Sequence, residues 1–206
     1  MQRNDGGGVV PVTRFGAVVI QWGMPWDIRR LLRNHRWTTR EGCKTIVLNR
    51  GAVQFDYPRS WAVSPGTDSV SLFEHPPRNG NRLEVSCLHF PPIDWSELPV
   101  ADLLDDVTTL ERERVTPGPL REEIRRGIEL AWRDLTVSPR QRWLAHRAIC
   151  VRVCMARYGN AHCLLTYEFR RKDRARCEEA WDNVLDTLVL DREIADPAAG
   201  PWEATL

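Results

Sequence analysis

The chain has 206 residues, of which 42% are apolar and 28% charged, a composition typical of a globular protein with a buried core. Its formal net charge of +1 excludes a uniformly polycationic or polyanionic protein, and six irregularly spaced cysteines do not predict a disulfide framework in a chain of this length. The longest apolar run near the start, Phe15 to Trp22, is far shorter than the about 20 residues of a membrane-spanning helix. We therefore expect no membrane span, no export signal and a cytoplasmic protein with reduced thiols.

The first 40 residues are predicted to form a basic extension. Positions 1–50 carry nine basic and three acidic residues, a net charge of +6, whereas the rest of the chain has a net charge of −5. A strand candidate lies at 17–22, and a helix is predicted from Pro25 to Asn34 because proline suits the first helical position. Such a basic segment can bind nucleic acid or anionic lipid, but the scarcity of aliphatic residues and of base-reading motifs favours a solvated extension. The candidate basic patch consists of Arg29, Arg30, Arg33, Arg36 and Arg40.

From about residue 45 to residue 90 the chain has the pattern of short antiparallel strands separated by turns. Asn79-Gly80 is a strong hairpin signal. Apolar and polar residues alternate from Arg82 to Phe90, which predicts a strand. Pro91-Pro92 ends this strand, and a short helix is expected from Ile93 through Leu104.

The stretch 117–136 fits both helical and strand spacing. Leu120, Ile124 and Ile128 recur at helical intervals, whereas Ile128, Leu130 and Trp132 alternate as in a strand. We predict a helical turn at 119–125 followed by a strand at 127–136.

A long strand from Trp143 to Arg157 is predicted to lie in the middle of the sheet. Its odd positions are large and apolar and most of its even positions are small, and a strand that is apolar on both faces belongs to a sheet covered on both sides. A two-residue loop at Gly159-Asn160 would return the chain through Phe169. This register places Arg157 opposite His162, Ala156 opposite Cys163 and Cys154 opposite Leu165.

The closing element is a helix predicted from Asp173, as its N-cap, through Asp186. Its apolar residues recur at helical spacing and form one stripe. The residues of this stripe are Cys177, Ala180, Trp181, Val184, Leu185 and Leu188. The last ten residues, 197–206, contain proline and glycine and are expected to form a loose tail.

Two groups of cysteines invite a chemical interpretation. Cys150 and Cys154 lie about 13 Å apart along a strand, because each residue advances roughly 3.3 Å, so they cannot share a zinc ion with Cys163. We interpret these three as small core residues and predict no metal site.

Cys87, His89 and Asp94 could form a nucleophile, a base and an orienting group in a small enzyme or a ligand pocket. Residues i and i+2 of a strand lie about 6–7 Å apart, however, which is too far for a thiolate–imidazolium pair.

Tryptophans beside arginines form the candidate protein-contact surface. Trp132 and Trp143 flank the loop around Pro139, and exposed tryptophan and arginine are enriched where proteins bind one another. Packing of the two indoles in the core, or half-buried at the sheet edge, is the favoured alternative. The candidate contact residues are Trp132, Arg133, Arg140, Arg142 and Trp143.

Four tracts together resemble the PsbP-like fold group, which includes DcrB-type bacterial proteins, a Ran-binding nuclear-import factor and the effector-associated chaperones of type VI secretion. The tracts are VQFDYPRSWAVSPGTDSVSLFEHP, RLEVSCLHFPPIDWSEL, CVRVCMARYGNAHCLLTYEF and DRARCEEAWDNVLDTLVL. The resemblance implies an α+β protein, an α/β/α sandwich around a twisted, mainly antiparallel sheet. Members are mostly binding proteins without a shared active site, so the resemblance implies no catalytic residue and no cofactor.

The sequence therefore predicts a basic extension at 1–40, a single PsbP-like domain at 41–196 and the tail at 197–206. We expect a cytosolic, non-catalytic module that binds a protein partner, as a chaperone or assembly adaptor of a bacterial secretion or similar system. A second copy of the chain, as a homodimer, is one candidate partner, and nucleic acid is the less favoured one.

Overall fold

The computed structural model describes residues 10–12, 17–20, 39–66, 69–74, 81–89, 94–95, 97–109, 115–137 and 149–192. Within these ranges the chain forms two β-sheets and two α-helices. The strands are β1 (Val10–Val12), β2 (Ala17–Ile20), β3 (Cys43–Leu48), β4 (Val53–Pro58), β5 (Ala62–Pro65), β6 (Ser69–Phe73), β7 (Arg82–His89), β8 (Val115–Pro117), β9 (Arg121–Arg125), β10 (Ile128–Val137), β11 (Ile149–Tyr158), β12 (Ala161–Arg170) and β13 (Val189–Leu190). The helices are α1 (Val100–Thr109) and α2 (Arg174–Thr187).

The larger sheet is antiparallel throughout, with the strand order β5-β6-β7-β12-β11-β10-β8. Strand β9 pairs with the other end of β10. The predicted register across the Gly159-Asn160 loop is confirmed. Arg157 pairs with His162, Ala156 with Cys163 and Cys154 with Leu165. The smaller sheet has the order β1-β2-β3-β4-β13, in which β2 and β3 are parallel.

The larger sheet is covered on both faces, as the doubly apolar central strand predicts. One face packs in a single core with α2 and the smaller sheet, and this core includes Phe55, Leu165 and Trp181. The other face packs against α1 through a second cluster that includes Leu104 and Val153. The predicted apolar stripe of α2 is confirmed, because every residue of the stripe is buried except Ala180, which is half-buried. Each large apolar side chain buried in this way stabilises the fold by about 1.5–3 kcal/mol.

The helical turn predicted at 119–125 is wrong, because Arg121–Arg125 forms strand β9. Arg125 pairs with Ile128, so Arg126 and Gly127 form a two-residue hairpin loop. Both loop residues have positive φ, 55° and 79°, as a type I′ turn requires at its two central positions. An Arg-Gly pair is a weak signal for this turn, and the helical spacing of the apolar residues concealed it.

The helix predicted from Ile93 through Leu104 is placed too early in the chain. Helix α1 begins at Val100 and extends to Thr109. Pro99 explains the shift, because the residue before a proline is disfavoured in the helical conformation. The backbone N–H of Asp102 donates to the Pro99 carbonyl (3.1 Å), which places Pro99 at the helix start.

Several sequence predictions fall wholly or partly outside the described residues. These are the helix from Pro25 to Asn34, the Asn79-Gly80 hairpin, the strand residues 143–148 and the tail at 197–206. The strand candidate at 17–22 is confirmed as β2, which joins the smaller sheet beside β3. The predicted domain boundaries stay predictions. In the described part of the chain, no helix is long and apolar enough to cross a membrane.

Candidate binding cleft

A cleft of about 410 Å³ lies where α2 meets the edges of the two sheets. One wall is the central part of α2, from Arg176 to Asn183. The opposite side is formed by the turn at 40–43 and by the segment that leads from β4 to β5, with Glu74 after β6 completing the lining. A volume between about 300 and 1,000 Å³ is typical of ligand pockets.

The turn at 40–43 shapes one rim of the cleft. The Cys43 N–H donates to the Arg40 carbonyl (3.1 Å), and Gly42 occupies the third position of this turn with φ of +75°. A type II turn needs positive φ there, which explains the glycine. The Arg59 N–H donates to the Gly42 carbonyl (2.8 Å) and fixes this rim to the end of β4.

The buried carboxylate of Asp56 anchors the same rim from below. It accepts hydrogen bonds from the Thr45 hydroxyl (2.5 Å) and from the backbone N–H of Arg40 (3.2 Å). Asn183 of α2 donates to the Asp56 carbonyl (3.2 Å) and accepts from the Arg40 guanidinium (3.2 Å). These contacts hold the helix and the turn at a fixed separation, so the cleft is a built feature of the fold.

Aromatic rings form the floor of the cleft. Trp61 and Tyr167 both line it, with ring centroids 5.8 Å apart. Behind them Tyr167 stacks on Trp181 at 6.3 Å with an interplanar angle of 12°, and it packs against Phe169 at 5.3 Å. This continuous aromatic support keeps the floor rigid.

Opposite charges occupy the sides of the cleft. The Arg176 guanidinium binds the Glu74 carboxylate (2.8 Å) and lies 3.6 Å from Asp173. Glu74 also accepts a hydrogen bond from the Asn81 amide. Arg40 pairs with Asp186 at 3.5 Å.

Two thiols line the cleft, and both are protonated at neutral pH. Burial, together with the negative charge of Asp56, raises the pKa of Cys43 above its ordinary value. Burial likewise raises the pKa of Cys177, although a hydrogen bond with Tyr167 opposes the shift. Neither thiol is therefore an activated nucleophile, since nucleophilic cysteines need a lowered pKa.

A buried arginine of β11 holds α2, and with it one cleft wall, against the larger sheet. The Arg152 side chain is only 2% exposed and makes bidentate contacts to Asp134 (2.7 and 3.1 Å) and to Glu178 (2.6 and 2.8 Å). Its guanidinium also lies 5.3 Å from the Trp181 ring centroid and 5.8 Å from that of Phe169. The sequence prediction missed this residue, and its signal is a charged side chain in the middle of an otherwise apolar stretch of β11.

The structure corrects the assignment of Trp132 to an exposed contact surface. The indole is 8% exposed and belongs to the main core, in agreement with the alternative of core packing. The reason is that β9 pairs along β10 at this point, with Arg121 opposite Trp132, so Trp132 does not lie on an open edge. Arg133 forms an ion pair with Asp105 of α1. The remaining three contact candidates, Arg140, Arg142 and Trp143, lie outside the described residues, and partner contact in this region stays a prediction.

Of the predicted basic patch, only Arg40 falls within the described part of the chain, where it lines the cleft. Its side chain contacts Asn183 and Asp186, so it takes part in building the cleft. Arg29, Arg30, Arg33 and Arg36 lie outside the described residues.

The arrangement of Cys87, His89 and Asp94 gains no support as a catalytic site. Burial and the charge of Asp191 raise the pKa of Cys87 to about 11, which is the opposite of activation. His89 is described only by its backbone in β7, and Asp94 is exposed. The expectation of a non-catalytic protein stays a prediction.

The predicted core thiols Cys150, Cys154 and Cys163 are buried, as expected. All six cysteines of the chain are free thiols. Among the residues that the structure describes, no group of three or more His, Cys, Asp or Glu side chains could hold a metal ion.

The chain belongs to the Alr1449 family, whose sequence profile matches residues 44–194. A relative from Nostoc sp. (strain PCC 7120), the uncharacterized protein alr1449, is 31% identical over 169 residues. This match covers 81% of the present chain and 87% of the Nostoc protein.

Solved structures share the architecture at much lower identity. The cyanobacterial PsbP (CyanoP) of Synechocystis sp. PCC 6803 matches with a TM-score of 0.55 and 10% identity, over 78% of this chain and 99% of CyanoP. A protein of Bacteroides thetaiotaomicron VPI-5482 matches with a TM-score of 0.50 and 12% identity over 74% of this chain, which spans 50% of that protein's length. These likenesses concern the fold alone, and the predicted PsbP-like α+β fold is confirmed.

Proposed function

We propose that the protein is a non-catalytic binding module that docks a protein partner in the cleft between α2 and the two sheets. The carrying observation is the cleft itself, with a rigid aromatic floor and charged rims at the surface. Tryptophan, tyrosine and arginine are the residues that dominate binding energy where proteins meet. Trp61, Tyr167 and Arg176 place all three side-chain types in one concave site of about 410 Å³.

The cleft is suited to holding a segment of another chain. Its walls are joined by the contacts of Asp56 and Asn183, so little conformational entropy is lost when a ligand enters. We propose that the module acts as a chaperone or assembly adaptor of a bacterial secretion or similar system. A cytoplasmic location is proposed with it, supported by six free thiols, which persist in a reducing compartment.

Site-specific photo-crosslinking in cells tests this proposal. The photoreactive residue p-benzoyl-phenylalanine is placed at position 60, because Ser60 is exposed and lines the cleft. The matched control carries it at position 182, because Asp182 is exposed on α2 but does not line the cleft. We expect position 60 alone to capture a defined protein, identified by mass spectrometry. A captured second copy of this chain would identify a homodimer.

A variant that fills the cleft provides a second test of the docking proposal. Ala180→Trp adds an indole at the cleft, and it should abolish co-purification of the captured partner while circular dichroism and a cooperative unfolding transition show that the variant is folded. Equal crosslinking at positions 60 and 182 would contradict docking in the cleft. Unchanged co-purification with a folded Ala180→Trp variant would contradict it as well.

A further inference from the structure

The charges of the cleft divide into those already paired and those available to a ligand. Two arginines and three glutamates line it. Arg40 lies 3.5 Å from Asp186, a carboxylate that Arg125 also binds at 2.7 Å, and Arg176 is paired with Glu74 and Asp173, so both cleft cations already have carboxylate partners within the protein.

Two carboxylates on the rim remain available. Glu41 precedes the glycine of the rim turn, and Glu179 lies on the facing side of α2. Both residues are exposed, and within the described ranges neither forms an ion pair or a hydrogen bond through its side chain. The charge offered to an incoming group is therefore negative.

The cleft that these carboxylates line favours a planar cation. Arginine stacks on aromatic rings and binds carboxylates through two parallel hydrogen bonds, which makes it the cation best suited to such a site. The same chemistry already operates inside this protein, where Arg152 lies over Trp181 and joins two carboxylates. Trp61 and Tyr167 line the floor of the cleft, where they are 6% and 2% exposed, so an entering cation meets only a small part of these rings.

We propose that the cleft binds an arginine side chain presented by a basic segment of the partner protein, with Glu41 and Glu179 as its carboxylate ligands. This proposal rests on the proposed function and specifies the chemistry of the partner. The charge complementarity of the rim commits the site to a basic occupant, and an acidic or apolar segment becomes an outcome of the test.

The experiment uses three labelled peptides, hexa-arginine, hexa-lysine and hexa-glutamate, with the full chain at low and physiological salt. Binding is followed by fluorescence anisotropy, and occupancy of the cleft by protection of Cys43 from alkylation, because Cys43 is a half-exposed lining residue. We expect hexa-arginine to bind most tightly and to protect Cys43. Hexa-lysine should bind more weakly, since an ammonium group cannot form the planar bidentate contact.

Matched charge variants separate the cleft from general attraction to acidic surface. Glu179→Gln should weaken hexa-arginine binding about fivefold, the upper range for one exposed ion pair, and adding Glu41→Gln should weaken it further. Asp182→Asn removes the same charge from the same helix outside the cleft, and it should leave binding unchanged. Equal losses in Glu179→Gln and Asp182→Asn would overturn the proposal, as would a lack of Cys43 protection or preferential binding of hexa-glutamate.

The two proposals fail in different ways. Crosslinking at position 60 reports any docked protein whatever its charge, so it tests the proposed function alone. A partner captured there through an acidic or apolar segment would overturn the arginine proposal and leave the docking function standing.

Discussion

Replacing Arg152 by methionine should destabilise the protein strongly, because it removes a buried cation that two carboxylates share. Methionine retains much of the length and volume of the side chain, so little cavity is created. Asp134 and Glu178, however, lose their bidentate partner at the junction between the sheet and α2. Breaking a buried ion pair from one side costs about 3–5 kcal/mol, because the remaining charge is left without compensation.

The contacts on each carboxylate place the expected loss at the lower end of this range. Asp134 keeps a second partner, since Arg174 donates to it at 2.7 Å. The Glu178 side chain is 35% exposed and can be rehydrated by water. Loss of the cation–π contact to Trp181 removes about a further 0.5–2 kcal/mol, so we expect a total loss of roughly 4 kcal/mol in the free energy of unfolding.

Urea unfolding measures this difference. With an m-value of about 2 kcal/mol/M, the midpoint should fall by about 2 M. Arg174→Met is the matched control, because it removes an arginine from the same cluster whose side chain is 44% exposed, and it should cost less than about 1 kcal/mol. Adding Asp134→Asn and Glu178→Gln to Arg152→Met should recover part of the loss, since no buried charge then lacks a partner.

Acid provides an independent readout of the same network. Burial opposes ionisation of Asp134, but the hydrogen bonds and charges of Arg152 and Arg174 outweigh it and hold its pKa below the ordinary value. The Arg152 hydrogen bond lowers the pKa of Glu178 in the same way. The resulting stability is complete above the ordinary carboxyl pKa values and is lost as the pH falls below about 4. Arg152→Met should flatten this acid-dependent loss, and a midpoint and acid profile like those of the wild type would refute the reasoning.

Two further predictions concern the hairpin loop and the cleft thiols. Gly127→Ala should lower the free energy of unfolding, measured in urea, by about 1–2 kcal/mol. The reason is that the residue has φ of +79° and that a Cβ would lie 3.4 Å from the Tyr158 ring. A decrease below about 0.3 kcal/mol would contradict the assigned turn. When the folded protein is alkylated and analysed by mass spectrometry, Cys43 should react faster than the buried Cys177. The alkylation rate of Cys43 should still be rising at pH 9, because its pKa is raised. A rate that reaches a plateau below pH 8 would contradict the assignment of a protonated thiol at neutral pH.

The sequence was sufficient to predict the elements whose signals are local. The loop at Gly159-Asn160 fixed the register of β11 and β12, and the spacing of apolar residues predicted α2. At 119–125 the spacing of the apolar residues predicted a helical turn, although the segment forms β9. This edge strand has polar residues on both faces, so only its pairing with β10 identifies it. Edge strands of this kind have little pattern of their own, and tertiary pairing decides their conformation.

The cleft could not be predicted, because its residues come from segments that are distant in sequence. Arg40 contacts Asn183 across 143 residues, and Arg176 contacts Glu74 across 102. Each of these residues has an ordinary surface pattern within its own segment. Their convergence depends on how α2 lies across the two sheets, and that placement depends in turn on Arg152, a residue that no spacing rule singles out.

The nine tryptophans and the excess of arginine suggested an exposed contact surface, and the structure gives this composition a different meaning. Trp61, Trp132 and Trp181 are all buried, and the arginine that contacts Trp181 is buried with it. Arginine and aromatic rings therefore pack together inside the fold, where a hydrophobic isostere would fill the space without joining sheet to helix. At the cleft, Trp61 and Tyr167 of the same aromatic layer form the floor, and the two exposed carboxylates of Glu41 and Glu179 line the same cavity. An interior that already stacks arginine on tryptophan between carboxylates is thus the strongest reason to expect that the cleft takes an arginine from outside.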